Sequence, residues 1–235
     1  MRTLKVLLLS ALLLLDAQEP AGSQGLGELE TNDLQLLYFD PTATYLAPHV
    51  ARSFENAMAQ QRSVFGYEPD GKITTCLVDF RDYGNASASS VPRNSLIFDI
   101  SPLSTTFETL TANERFALLM NHELTHVVMT DMATSQDMRA RGFFGGKVLP
   151  VSEHPESILY AALTTPRVLS PGWYMEGSAV FLETWLAGGV GRAQGAYNEM
   201  VFRAMVRDEA HFYDPLGLVS ELSLIHISEP TRPTR

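Results

Sequence analysis

The stretch ALLMNHELTHVVMTD, Ala117 to Asp131, sets two imidazoles and a carboxylate into an otherwise apolar run. A helix that only had to bury one face has no use for His122, Glu123 and His126. Each helical residue advances about 100°, so His122 and His126 are about 40° apart and one turn displaced, with Glu123 about 100° round from His122. Two imidazoles so placed can grip one tetrahedral zinc ion while the carboxylate between them stays off the metal. Zinc lowers the pKa of a bound water toward about 7, and the neighbouring carboxylate can take its proton. The spacing is the H-E-x-x-H pattern, whose bland reading is two histidines that happen to sit one turn apart.

A catalytic zinc wants three protein ligands and one open position, so a third ligand must come from elsewhere in the chain. Downstream candidates are Glu153, His154, Glu156, Glu176, Glu183 and His211. Glu176 stands out in PGWYMEGSAVFLETWLAGG. Pro171 and Gly172 break the chain, a helical pattern starts at Trp173, and Gly188 and Gly189 end it. Glu176 is then expected in the first turn of a second helix, with Phe181 and Trp185 available for burial. Glu183, seven residues on, shares its face and either hydrogen-bonds a ligand histidine or is a solvated helix charge.

The elements that must hold these residues are legible in part. LQLLYFD (Leu34 to Asp40), KITTCLVDF and SLIFDIS (Ser95 to Ser101) read as strands. APHVARSFENAMAQQRSVFG places Val50, Phe54, Met58 and Phe65 near helical spacing and closes on Gly66. RDYGNASASSVPRN, polar and broken by Gly and Pro, reads as a loop. Thr111 and Glu114 in TANE form a capping box, so the motif helix is predicted from about Ala112 to around Thr130. Cys76, the single cysteine, permits no intramolecular disulfide and is expected as a small buried hydrophobe.

HELTH followed by PGWYMEGSAVFLE resembles the gluzincin metallopeptidases, in particular bacterial peptidase MA-like domains that carry H-E-x-x-H and a later W-x-x-E-G-x-A helix. The likeness spans roughly Leu34 to Leu218. It implies a zincin-like α+β fold, a small N-terminal sheet with an active-site helix followed by a helical half. By the same resemblance His122, His126 and Glu176 are the Zn2+ ligands, Glu123 is the general base, and the substrate is a peptide or protein. Gluzincins also supply a Tyr or His that stabilises the oxyanion; Tyr197, His211 and Tyr213 lie in the expected direction and spacing selects none of them. Zincins commonly pair an edge strand with extended substrate, a role Ser95 to Ser101 could take. Some exported members continue into a TolB-like β-propeller. The alternative of another class is a non-catalytic zincin-like binding or scaffold module of a larger envelope protein, for which a base beside the metal has no purpose.

Composition bounds the rest. With 235 residues, 45% of them hydrophobic and 19% charged, the chain can bury one sizeable core. A formal net charge of −10 offers no basic surface, which argues against nucleic acid or anionic lipid as a partner. Residues 1–23, with Arg2 and Lys5 ahead of an apolar run from Val6 to Leu15, read as a signal peptide, with no stable membrane span after its removal. That predicts an exported protein, periplasmic or extracellular. Residues 24–221 are the expected zincin-like domain. The last stretch, 222–235, has no periodicity and resembles translated sequencing-adapter read-through, so native sequence is expected to stop near Glu221, with the domain incomplete and a C-terminal propeller possible beyond it. NAS at Asn85 fits a glycosylation sequon in a eukaryotic secretory pathway.

Overall fold

A computed structural model describes residues 25–102, 114–165, 167, 170–186 and 191–209. The leader and the tail 222–235, together with Thr111, Gly188, Gly189, His211 and Tyr213, lie outside them, as does the side chain of Tyr197.

Alternation builds the sheet. Leu34 and Leu36 of β2 (Leu34–Asp40), Ile73, Thr75 and Leu77 of β3 (Ile73–Val78), and Leu96 and Phe98 of β5 (Ser95–Asp99) are all buried on one face. Two further strands complete it: β1 (Gly25–Glu30), antiparallel to β2, and β4 (Ala86–Ser89), antiparallel to β5. The order is β1-β2-β3-β5-β4, with β2, β3 and β5 parallel. The expected loop from Arg81 to Asn94 therefore contains a strand, and SLIFDIS is not an edge. β5 is paired on both sides, and the edge belongs to β4.

Among the described residues there are six helices. The first, α1 (Ala47–Phe65), buries Val50, Phe54 and Met58 against the sheet as their spacing predicts, while Phe65 is only partly buried. It ends on Gly66 in the left-handed region at φ 61°, where its N–H reaches the Arg62 carbonyl at 2.9 Å. The motif helix α2 (Arg115–Asp131) begins three residues later than predicted. Glu114 is itself the N-cap, its carboxylate accepting from Phe116 N at 3.0 Å and Ala117 N at 2.6 Å. A capping box does occur, at α3 (Ser135–Phe144), between Thr134 and Asp137. α4 (Pro155–Leu163), α5 (Gly172–Trp185), a 3₁₀ turn at Arg192–Gln194 and α6 (Ala196–Arg207) follow. This is a mixed α+β chain in which one helix lies between β2 and β3 and the other five follow the last strand. No helix among the described residues is long and apolar enough to cross a membrane.

α2 is buried almost all round, packed against α1, α5 and β4, which explains why its apolar residues are not confined to one face. Its far end is tied down by Asp131, which is buried. The Asp131 carboxylate accepts from Tyr67 Oη at 2.6 Å, Asn94 Nδ2 at 2.7 Å and Lys147 Nζ at 2.8 Å, and pairs with Arg141 at 3.1 Å. Cys76 departs from expectation. It is half-buried on the sheet face away from the helices, alongside the exposed Ile97.

Candidate metal centre

Helical geometry does for His122 and His126 what their spacing requires. The two rings stand edge to face, centroids 4.8 Å apart, with their Nε2 atoms 3.1 Å from one another. The chain break at Pro171 and Gly172 starts α5 so that Glu176 is its fifth residue, at the start of the second turn, not the first. From there one carboxylate oxygen lies 3.3 Å from His122 Nε2 and the other 3.6 Å from His126 Nε2. One ligand atom from each residue falls within 4.8 Å of the others, so the three could hold a metal ion. Ligand atoms about 2.0–2.1 Å from a tetrahedral ion are separated by about 3.3 Å, close to the spacings found, although the two histidines are met by different oxygens of Glu176.

Behind this triangle stands Glu183, with 0% of its side chain exposed. Its Oε2 meets His122 Nδ1 at 2.7 Å. Arg192 grips the same carboxylate: Nε donates to Oε1 at 2.7 Å, a terminal nitrogen to Oε2 at 3.2 Å, and the backbone N–H to Oε1 at 3.3 Å. Of the two readings the sequence left open for Glu183, the solvated charge is ruled out: it is buried and bonded to His122. With Nδ1 engaged by Glu183, His122 turns Nε2 toward His126 and Glu176.

The electrostatics follow from that placement. Burial alone would lower the His122 imidazole, but the carboxylates of Glu176 and Glu183 overcome it and hold it up at about 9 in the metal-free chain. The bonds from His122 and His126 depress Glu176 below the usual carboxylate range. Burial would raise Glu183, yet His122 and Arg192 keep it low. Glu123 is the exception. Among the described residues no cation is hydrogen-bonded to it, and desolvation lifts it above the ordinary value for a glutamate.

These groups line a cleft of about 340 Å³ formed by Leu119, His122, Glu123 and His126 from α2, Glu176 from α5, Arg192, and residues 85–88 along β4. Asp99 N donates to the Asn85 carbonyl, so the β4–β5 ladder bonds fall at 85/99 and 87/97. The N–H and C=O groups of Ala86 and Ala88 therefore point off the sheet edge.

The remaining candidates are not part of this cluster. Glu153, His154 and Glu156 are exposed at the start of α4, where His154 Nδ1 pairs with Glu156 at 3.2 Å. Phe181 and Trp185 are exposed, 54% and 48%, instead of buried. They stack on one another at 4.9 Å on the side of α5 opposite Glu176. Sequence reasoning missed Arg192 and β4. Arg192 lies nine residues past its partner in a glycine-rich turn, and ASAS has no apolar run to mark a strand. No protein-family model matches the chain, and neither a curated protein nor a solved structure matches it.

Proposed function

We propose that the protein is an exported zinc-dependent peptidase of the gluzincin type, in which Glu123 serves as general base. The observation that carries this reading is the convergence of His122, His126 and Glu176 on one wall of a cleft that also holds the buried carboxylate of Glu123 and the free edge of β4. Two imidazoles and one carboxylate make a donor set characteristic of catalytic zinc with an open fourth position. Zinc bound there supplies Lewis acidity toward water and a scissile carbonyl.

Glu123 accepts the proton of the attacking water and delivers it to the leaving amine. Desolvation raises its proton affinity, bringing it closer to the range in which a group both takes and returns a proton near neutral pH. Glu183 holds the His122 ring in place through Nδ1. β4 takes the role first expected of Ser95 to Ser101: the Ala86 carbonyl and both main-chain groups of Ala88 are those to which an extended peptide adds as a further strand, the Ala86 N–H being bonded to Asn85 Oδ1 at 2.9 Å. The basic and apolar leader at residues 1–23 supports export to the periplasm or the extracellular space.

The test compares zinc-loaded parent and Glu123→Gln on casein and mixed peptides, with a chelator control. Zinc content and fold should be unchanged, while hydrolysis falls by about a hundredfold or more, the scale of general acid–base catalysis. If the zinc-loaded parent cleaves nothing, or Glu123→Gln cleaves as fast, a non-catalytic zincin-like binding module becomes the better reading.

A further inference from the structure

We propose that the Gly191–Arg192 turn is a positioning device for the metal centre: Arg192 fixes the buried Glu183 carboxylate and, through it, the ring of His122. This rests on the reading that His122, His126 and Glu176 hold a metal.

Glu183 projects from the last turn of α5 and its side chain is fully buried. A carboxylate there needs a counter-charge and a full set of donors. Arg192 gives both, because its planar fork meets the two oxygens from one side while His122 Nδ1 meets Oε2 from the other. The carboxylate is thus held from two directions, and so is the ring it orients.

The turn that delivers Arg192 is itself built against α5. A Cβ added at Gly191 would lie 2.3 Å from both Cα and Oγ1 of Thr184, the residue after Glu183. Only a glycine lets the backbone approach so closely. Ala193 N then donates to Thr184 Oγ1 at 3.3 Å and Arg192 N to Glu183 Oε1 at 3.3 Å. One turn of α5 therefore sets both where the 3₁₀ turn docks and how far the guanidinium reaches. Among the described residues His126 has no matching arrangement: its ring meets only His122 and Glu176. The device acts on one ligand of the three.

The experiment measures zinc affinity of the whole chain by competition with a chromophoric chelator at fixed pH. It uses the parent, Arg192→Met, Arg192→Lys, Gly191→Ala, Glu183→Gln and the Arg192→Met/Glu183→Gln double variant, with circular dichroism as the fold control. Outer partners of metal ligands typically carry about 10–100-fold in affinity, so Arg192→Met should weaken zinc about tenfold. Arg192→Lys keeps the charge but loses the two-oxygen fork, so it should restore only part of that loss. Gly191→Ala, which retains the arginine but displaces the turn, should weaken zinc in the same direction. In the Glu183→Gln background the arginine change should cost less than about twofold more, because its route to His122 is already gone. A merely structural arginine would instead give additive losses, and that result overturns the proposal. So does parent-like zinc affinity in Arg192→Met, or, where that variant does not fold, in Gly191→Ala. A parent that takes up no zinc refutes the metal reading itself, and with it this inference.

Discussion

Zinc binding should be coupled to proton release, by an amount set by His122. In the metal-free chain its imidazole is bonded to Glu183 through Nδ1 at 2.7 Å and lies 3.3 Å from Glu176 through Nε2. Those two carboxylates outweigh burial and raise it to about 9. The sign is that of a raised base: at pH 7 His122 is protonated, and a metal must displace that proton before Nε2 can coordinate. Two pH units at about 1.36 kcal/mol each amount to about 2.7 kcal/mol, or roughly a hundredfold in apparent affinity between pH 7 and the pH-independent limit. Zinc affinity should therefore rise about tenfold per pH unit from 7 to about 9 and then level. Calorimetry at pH 7 in buffers of different ionisation enthalpy should return at least one proton per zinc. Glu183→Gln removes one of the carboxylates that hold the proton, so it should flatten the pH dependence while weakening binding at pH 9. An affinity that stays level between pH 7 and 9, or release of less than half a proton, would refute the argument that these carboxylates hold His122 protonated.

His126→Ala and Glu176→Ala should each collapse zinc content measured by elemental analysis, since each deletes one corner of the triangle; parent-like content in Glu176→Ala moves the third ligand elsewhere. Ala88→Pro removes an outward N–H from β4 without touching the ladder bonds, so kcat/KM on peptides should fall roughly two- to tenfold, the worth of one hydrogen bond, with zinc retained. Asp131→Asn leaves Lys147 and Arg141 facing a neutral amide and should cost about 3–5 kcal/mol in urea unfolding of the metal-free protein at pH 7. Burial would raise the Asp131 carboxyl, but its bonds from Lys147, Tyr67 and Asn94 lower it. Its contribution is therefore present above about pH 4, the unfolded aspartate value, and is lost as pH falls through the depressed folded value.

The parts of this arrangement that the sequence exposes are those governed by local spacing. His122, Glu123 and His126 are fixed relative to one another by a single helix, and Pro171 and Gly172 mark where the next helix starts, so Glu176 could be singled out before any fold was known. The parts it conceals depend on what packs against what. Asp131 gathers Tyr67, Asn94, Arg141 and Lys147 from four places in the chain, and no periodicity links them. β4 is short and built of Ala and Ser, so it lacks the apolar alternation that betrays β2, β3 and β5. Phe181 and Trp185 show the opposite failure. Periodicity states which residues share a face, whereas burial depends on whether another element covers it, and among the described residues that side of α5 leaves both rings half exposed.

Charge links the polar groups that α2, α5 and the 3₁₀ turn bring together. Among the described residues at the site, Glu123, Glu176 and Glu183 bring three negative charges and Arg192 one positive, a sum of minus two. Left uncompensated in a partly desolvated cleft, that sum is costly. The metal-free chain offsets part of it by holding a proton on His122, which is what the rise to about 9 expresses. On the proposed metal reading, a divalent cation among His122, His126 and Glu176 would cancel the whole of it and displace the same proton. Among these carboxylates Glu123 has no cation bonded to it, and burial raises it above the ordinary value, which supports the proposed role as general base.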